Sequence, residues 1–290
     1  STFTNNLPGL LSFTGNFWSN TDNGASRTMT IGGNGNTLIN GNVNATAAAF
    51  DHNLTKSGSG VLTITGTGST LDGNVNISGG AIAIRDFRSL NNASTGEINI
   101  GSGGTAGALI IGVDGFAPNA AGLITTRNID LSGSTGAASI YANQTGPNPV
   151  QLNGSILATG GNGTQAKTLT LGGTSTAANL IAAAINNNDA GGTVNLLKIG
   201  AGTWELAGTS TYTGSTTISE GILRLRANAA ASTILHDSSA ITFNANNVNA
   251  GGTLEIVGQD GVNNVENLGA LTPTQGANTI KLTPGAGGSV

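Results

Sequence analysis

From about Arg27 onward the chain alternates. Four to six residues switch between apolar and polar, a Gly, Asn, Ser or Thr turn follows, and the alternation resumes. Examples are TMTIGG (Thr28–Gly33), VLTITG (Val61–Gly66), TLTLGG (Thr168–Gly173), TWELAG (Thr203–Gly208) and GTLEIVG (Gly252–Gly258). A period of two puts successive side chains on opposite faces of a strand. Trp204 and Leu206 therefore share one face opposite Glu205, and Leu223 and Leu225 share one opposite Arg224 and Arg226. Thr and Ser at outward positions suit strands and keep the surface polar without charge. One segment breaks the pattern. In AANLIAAAINNNDAGG (Ala177–Gly192), Leu180, Ile181, Ala184 and Ile185 fall at helical spacing, and Ala favours helix. Because it leads directly into an alternating run at Leu196, it is expected to be a strand followed by an Asn/Gly turn, with helix as the alternative.

The alternating runs also repeat. Residues 54–84 read LTKSGSGVLTITGTGSTLDGNVNISGGAIAI, and residues 196–225 read LLKIGAGTWELAGTSTYTGSTTISEGILRL. Lys56, Gly58 and Gly60 answer Lys198, Gly200 and Gly202, while Leu62 and Ile64 answer Trp204 and Leu206. After a one-residue slip, Gly73, Ile77, Gly80, Ile82 and Ile84 answer Gly214, Ile218, Gly221, Leu223 and Leu225. A shorter echo, GNVN, starts at Gly41 and again at Gly73. Short, evenly spaced strands with Gly and Asn at the corners fit either a β-sandwich or a wound solenoid. Internal repetition favours the solenoid, since a sandwich has no need to repeat itself.

Composition narrows the classes. Among 290 residues only 8% are charged and 4% aromatic, with 47 Gly and 6 Pro. Low charge with ample apolar residues opposes disorder, and so many glycines oppose long helices. The net charge of −4 and ten dispersed Lys and Arg give no basic footprint for nucleic acid. There is no cysteine, hence no thiolate site or disulfide. No apolar run is long enough to cross a membrane as a helix.

The two long segments resemble the autotransporter-associated β-strand repeat, also called the passenger-associated transport repeat, with a pattern near LTKxGxGTLTLSGxNTYTGxTTVxxGTLxL. The 196–225 segment matches it closely. The 54–84 segment has STLDG where the pattern has TYTG. The resemblance implies a right-handed parallel β-helix of a bacterial surface protein, exported through a C-terminal β-barrel. Eight residues follow Leu282, so no barrel is expected within this chain. The fold expected is all-β, a single-stranded right-handed parallel β-helix. An apolar segment 1–27 would act as a cap or intersubunit docking element, the solenoid would fill 28–282, and 283–290 would be a flexible tail. Coils of about 22 residues, as the resemblance implies, would give about a dozen coils and a rod of roughly 55–60 Å at the strand spacing of a sheet. Leu62, Ile64, Ile82, Ile84, Trp204, Leu206, Leu223 and Leu225 are the expected repeat core.

Catalytic chemistry finds little support. Asp72, Asp86, Asp114, Asp130, Asp189, Glu205, Glu220 and Glu255 are dispersed, whereas a glycosidase needs two close carboxylates, one with a raised pKa. Glu205 and Glu220 are expected to be solvated charges. IRDFR (Ile84–Arg88) is the best lyase candidate and is expected to be a surface loop with a local ion pair. His52 and His236 each neighbour an Asp but have no spaced metal-ligand partner, and both are expected in exposed turns. GGNGNTLIN (Gly32–Asn40) resembles a calcium nonapeptide, but Asn36 stands where that motif has Asp. No catalytic site, metal or cofactor is expected.

The leading expectation is therefore a structural, extracellular or cell-surface β-solenoid that polymerises head-to-tail with copies of itself. An open solenoid has two unpaired ends, and Phe3, Leu7, Leu10, Leu11, Phe13, Phe17 and Trp18 crowd into one of them. The alternative is a monomeric passenger acting as an adhesin or spacer, with surface glycans or other cells as partners. A polysaccharide-active enzyme is the third, least supported, reading.

Overall fold

The computed structural model describes residues 1–18, 26–44, 51–92, 95–113, 120–160, 165–187, 191–228, 233–245 and 250–290, without the side chain of Trp18. Among these residues the chain forms strands and two short 3-10 turns, Phe87–Leu90 and Ala120–Leu123. Every paired strand runs parallel to its neighbours one coil away, which is the arrangement of a β-solenoid. Parallel strands need a crossover between them. Here the crossover is the rest of the coil.

One sheet runs the length of the rod. This long sheet has eleven strands, from Leu11–Phe13 to Leu271–Gln275. A first side sheet of seven strands extends from Thr2–Thr4 to Ile156–Leu157, and a second of seven extends from Ile124–Thr125 to Thr279–Thr283. The two side sheets overlap only in the middle of the chain. Coil length is uneven. Trp204 pairs with Leu223, nineteen residues later, but Leu223 pairs with Leu254, thirty-one later. The long sheet accordingly has eleven strands where a uniform 22-residue coil gives about a dozen, and its length is about 48 Å at the usual strand spacing.

The interior is one continuous column of side chains. Leu62, Ile64, Ile82, Ile84, Trp204, Leu206, Leu223 and Leu225 are all buried in it. Asn side chains join coil to coil at the corners. The Asn53 carbonyl oxygen accepts from Asn74 N–H (2.7 Å), that of Asn74 from Glu97 N–H (2.8 Å), and that of Asn128 from Ser155 N–H (3.1 Å). Corner backbone groups that no ladder satisfies are thus paired by the side chain one coil below.

The 177–192 segment is a strand, Ala178–Ile181, rather than a helix, and Ile185 bridges to Ile156. Residues 1–18 are themselves a coil: Phe3 pairs with Ile31, Ser12 with Leu38 and Phe17 with Val43. Residues 283–290, expected from composition to be a free tail, lie along the preceding coil. Gly261 N–H donates to Ala286 O, and Asn264 N–H donates to Ser289 O.

Candidate functional site: repeat corners, charged ladder and rod ends

The two long sequence repeats build the same corner twice. Gly58 (φ +71°) and Gly200 (φ +67°) adopt left-handed backbone, as do Gly80 (φ +66°) and Gly221 (φ +67°). This region favours Gly because it has no Cβ to clash. The lysine before each corner is buried, and its ammonium crowns the turn. Lys56 Nζ donates to Ser57 O (2.6 Å) and Gly58 O (3.0 Å). Lys198 Nζ donates to Ile199 O (2.9 Å), Gly200 O (2.7 Å) and Glu220 O (3.0 Å). Burial lowers both pKa values to about 8. Within each repeat the chain then returns to stack a second corner on the first: Lys56 pairs with Ile77, and Lys198 with Ile218.

A family model for the passenger-associated-transport-repeat matches residues 54–84 and 196–225. These two segments are passenger-associated transport repeats. The chain also shares 32% identity over 180 residues, 61% of its length, with the adhesin BmaC autotransporter of Brucella suis biovar 1 (strain 1330). It spans 5% of that protein. No solved structure matches the chain significantly. The transport repeats contain the lysine crowns, the left-handed Gly58, Gly80, Gly200 and Gly221, and the shortest coils.

Among the described residues the carboxylates outside the repeat corners do not form a hydrolytic pair. Glu205 is buried, contrary to the expectation of a solvated charge, because it begins a ladder on the second side sheet. Glu205, Arg224, Glu255 and Lys281 stand in register on successive coils. Arg224 Nη1 donates to Glu205 Oε2 (3.3 Å), its Nε to Glu255 Oε2 (2.7 Å), and Lys281 Nζ to Glu255 Oε1 (2.6 Å). Arg226 Nη2 lies 2.8 Å from Glu205 Oε1. Burial alone would raise the Glu255 pKa, but hydrogen bonds from Lys281 and Arg224 outweigh it and hold the carboxyl below its ordinary value. A general acid needs the opposite shift. Arg224 is moved the complementary way: burial lowers it, yet its bonds to the two glutamates leave it raised.

Asp86 is buried and N-caps the 3-10 turn Phe87–Leu90, accepting from Arg88 N–H (3.0 Å). The expected ion pair is present, with Arg88 Nη2 at 2.6 Å from Asp86 Oδ2, but it braces a turn rather than decorating a loop. Asp130 accepts from Thr159 N–H and Oγ1 (2.8 and 2.6 Å). Asp114 and Asp189 lie outside the described residues. His52 is a correction. The alternation of HNLTK puts His52, Leu54 and Lys56 inside, so His52 is fully buried, with Nδ1 at 3.1 Å from Asp72 Oδ1. His236 sits in a turn against Ser238 Oγ (2.8 Å). The Asn36 side-chain oxygen accepts from Val61 N–H (2.9 Å), so the calcium-like nonapeptide works as a coil-to-coil clasp. Among the described residues no three His, Asp or Glu side chains converge as a metal site.

Sequence reasoning passed over Arg127. It stands where neighbouring coils carry Gly73, Gly96 and Gly154, two residues before each strand of the first side sheet. Its side chain runs through the interior to Gly96 O (2.6 Å), Leu90 O (2.8 Å), Gly73 O (2.8 Å) and Glu97 O (3.2 Å), and burial lowers its pKa to about 10. The available signal was an Arg interrupting a Gly column.

The rod ends differ from the shaft. At the first coil, Phe3, Phe13 and Phe17 pack edge-to-face (centroids 5.5 and 5.2 Å apart) over the core. Leu11 is half-buried there, while Leu7 and Leu10 are 58% and 63% exposed. At the last coil, Leu271, Ile280 and Leu282 continue the buried column of Ile241, Leu254 and Ile256, yet they are exposed.

Proposed function

We propose that the chain is a rod segment of an adhesin-like, autotransporter-type passenger displayed at a bacterial surface, and that it presents its lateral faces instead of catalysing a reaction. The observation that carries this reading is the uninterrupted eleven-stranded sheet over a filled interior, with Glu205 and Glu255 committed to Arg224. The likeness to an adhesin autotransporter and the two transport repeats support it. The second reading, a head-to-tail filament, draws support from the exposed row Leu271, Ile280 and Leu282, since an edge strand over uncovered core invites another strand.

Electron microscopy of the purified chain at several concentrations separates the readings. Single rods of about 50 Å at every concentration fit the passenger segment. Fibres with an axial repeat of one rod length, lost in Ile280→Lys, would replace it with the filament. Release of product from acidic polysaccharides with calcium present would overturn both.

A further inference from the structure

The outer face of the long sheet differs from that of the second side sheet. Leu38, Thr63, Ala83, Ile110, Tyr141 and Gly172 stand in register on successive coils. The column contains no charge, whereas the outward ladder of the second side sheet is charged at each step from Glu205 to Lys281. It is also not flat. Ala83 is small, and a groove of about 430 Å³ opens beside it, lined by Leu38, Thr63, Thr65, Ile110, Val113 and Asn143. One coil on from the groove-lining Ile110, and in register with it, the partly buried Tyr141 lies down on Gly172, where an added Cβ would sit 2.6 Å from Tyr141 Cδ1 and 2.7 Å from Cε1. Glycine at 172 thus allows an aromatic ring to rest against the sheet.

These parts suit one class of ligand. A sugar ring offers an apolar C–H face and a rim of hydroxyls. Aromatic and aliphatic side chains meet the face, and a few fixed polar groups meet the rim. Here Leu38 and Ile110 supply the apolar floor, Thr63 supplies a hydroxyl, and Tyr141 extends the apolar surface beside Ile110. Asn143 Oδ1 already accepts from Thr174 N–H (3.1 Å), which leaves its N–H₂ group as a donor. The groove crosses coils along the rod axis, so it fits a chain of rings better than a single one. Its neutrality disfavours uronic acids, and its dip and reclining ring interrupt the flatness that a second rod would need. We propose that this groove is a binding site for a neutral, linear oligosaccharide, with Tyr141 as its stacking platform. The proposal deepens the surface-rod reading and rests on it.

Saturation-transfer NMR on the intact chain tests it, with cellotetraose, chitotetraose and maltotetraose as probes and tetragalacturonate as the charged comparison. Transfer to the ring protons of at least one neutral probe is expected. Tyr141→Ala should weaken it at least about fivefold, the loss of one stacking ring, with Tyr141→Phe close to the parent. An unchanged far-UV circular dichroism spectrum would verify that the variants fold. The proposal is overturned by no transfer from any neutral probe, by equal transfer to tetragalacturonate, or by an undiminished signal in Tyr141→Ala. It is also overturned if sedimentation finds a dimer that Ile110→Lys abolishes, because a second copy would then cover the face. Failure of the rod reading would appear separately, as fibres or as released product.

Discussion

The two transport repeats carry one motif but occupy different walls of the rod. In the first, Val61–Ile64 belongs to the long sheet and His52–Lys56 to the first side sheet. In the second, Val194–Lys198 belongs to the long sheet and Thr203–Leu206 to the second side sheet. The corner Lys56–Gly60 therefore turns onto the long sheet, and its twin Lys198–Gly202 turns off it. What the motif specifies is a short coil, two stacked corners closed by a loop without a strand, and not a particular wall. Each copy sits where a side sheet is missing: the first before the second side sheet begins at Ile124–Thr125, the second after the first side sheet ends at Ile156–Leu157.

The copies also differ in how they fill that coil. Leu62 answers Trp204, and Leu71 answers Tyr212, all four buried. The second copy adds polar tips: Trp204 Nε1 donates to Gly172 O (2.8 Å), and the Tyr212 hydroxyl meets Thr216 Oγ1 (2.7 Å). The largest expected contrast follows. Trp204→Ala should cost about 4–5 kcal/mol and Leu62→Ala about 3 kcal/mol in urea unfolding, because the indole leaves both a larger cavity and an unpaired carbonyl. Equal costs would mean that the first copy cannot relax as freely as its smaller side chain implies.

Next come the glycines that close each loop. A Cβ at Gly214 would meet Val194 O at 2.2 Å, whereas one at Gly73 would first meet the Asn53 side chain at 2.5 Å. Backbone yields less readily than a side chain, so Gly214→Ala should destabilise by about 3 kcal/mol and Gly73→Ala by about 1–2 kcal/mol. A reversed order in thermal melts would contradict this stacking of the two loops.

The lysine crowns make a pH prediction. Their pKa values are lowered on folding to about 8, so between pH 8 and the ordinary lysine value the unfolded chain holds protons that the folded chain has released. Stability should then rise with pH from 8 to about 9.5. Above about pH 10 the buried Tyr212, whose pKa burial raises, opposes the trend as unfolded tyrosine ionises. Lys56→Met together with Lys198→Met should flatten the rise in the urea midpoint. The smallest contrast is Tyr212→Phe, which should cost about 1 kcal/mol by leaving the Thr216 hydroxyl unpaired. Leu71→Phe in the first copy has no hydrogen bond to lose.

Much of the fold was legible because period-two alternation reports burial directly: Trp204 and Leu206 inside, Glu205 on the opposite face. The exposed-or-buried state of that opposite face was not legible. Glu205 pairs with Arg224 from a coil nineteen residues on, and a single strand does not reveal what stands above it. His52 was misplaced for a related reason: its neighbour Asp51 drew attention, while its partner is Asp72, one coil later. Coil length was hidden as well, since glycine and asparagine mark corners without saying how far apart they stack. The neutral groove beside Ile110 emerged only once register set Ala83 between Thr63 and Ile110.

The absence of cysteine makes the central claim directly measurable. If the second repeat starts on the long sheet, Thr170 and Leu197 are cross-strand neighbours. Were it placed as the first repeat is, Leu197 would instead lie on the wall of Ile156–Leu157. Paired cysteines at 170 and 197 should form a disulfide under mild oxidation, seen as faster gel migration, because parallel neighbours fall within disulfide reach. Paired cysteines at 157 and 197 should not. The opposite result would contradict the claim that the motif fixes a corner and leaves the wall open.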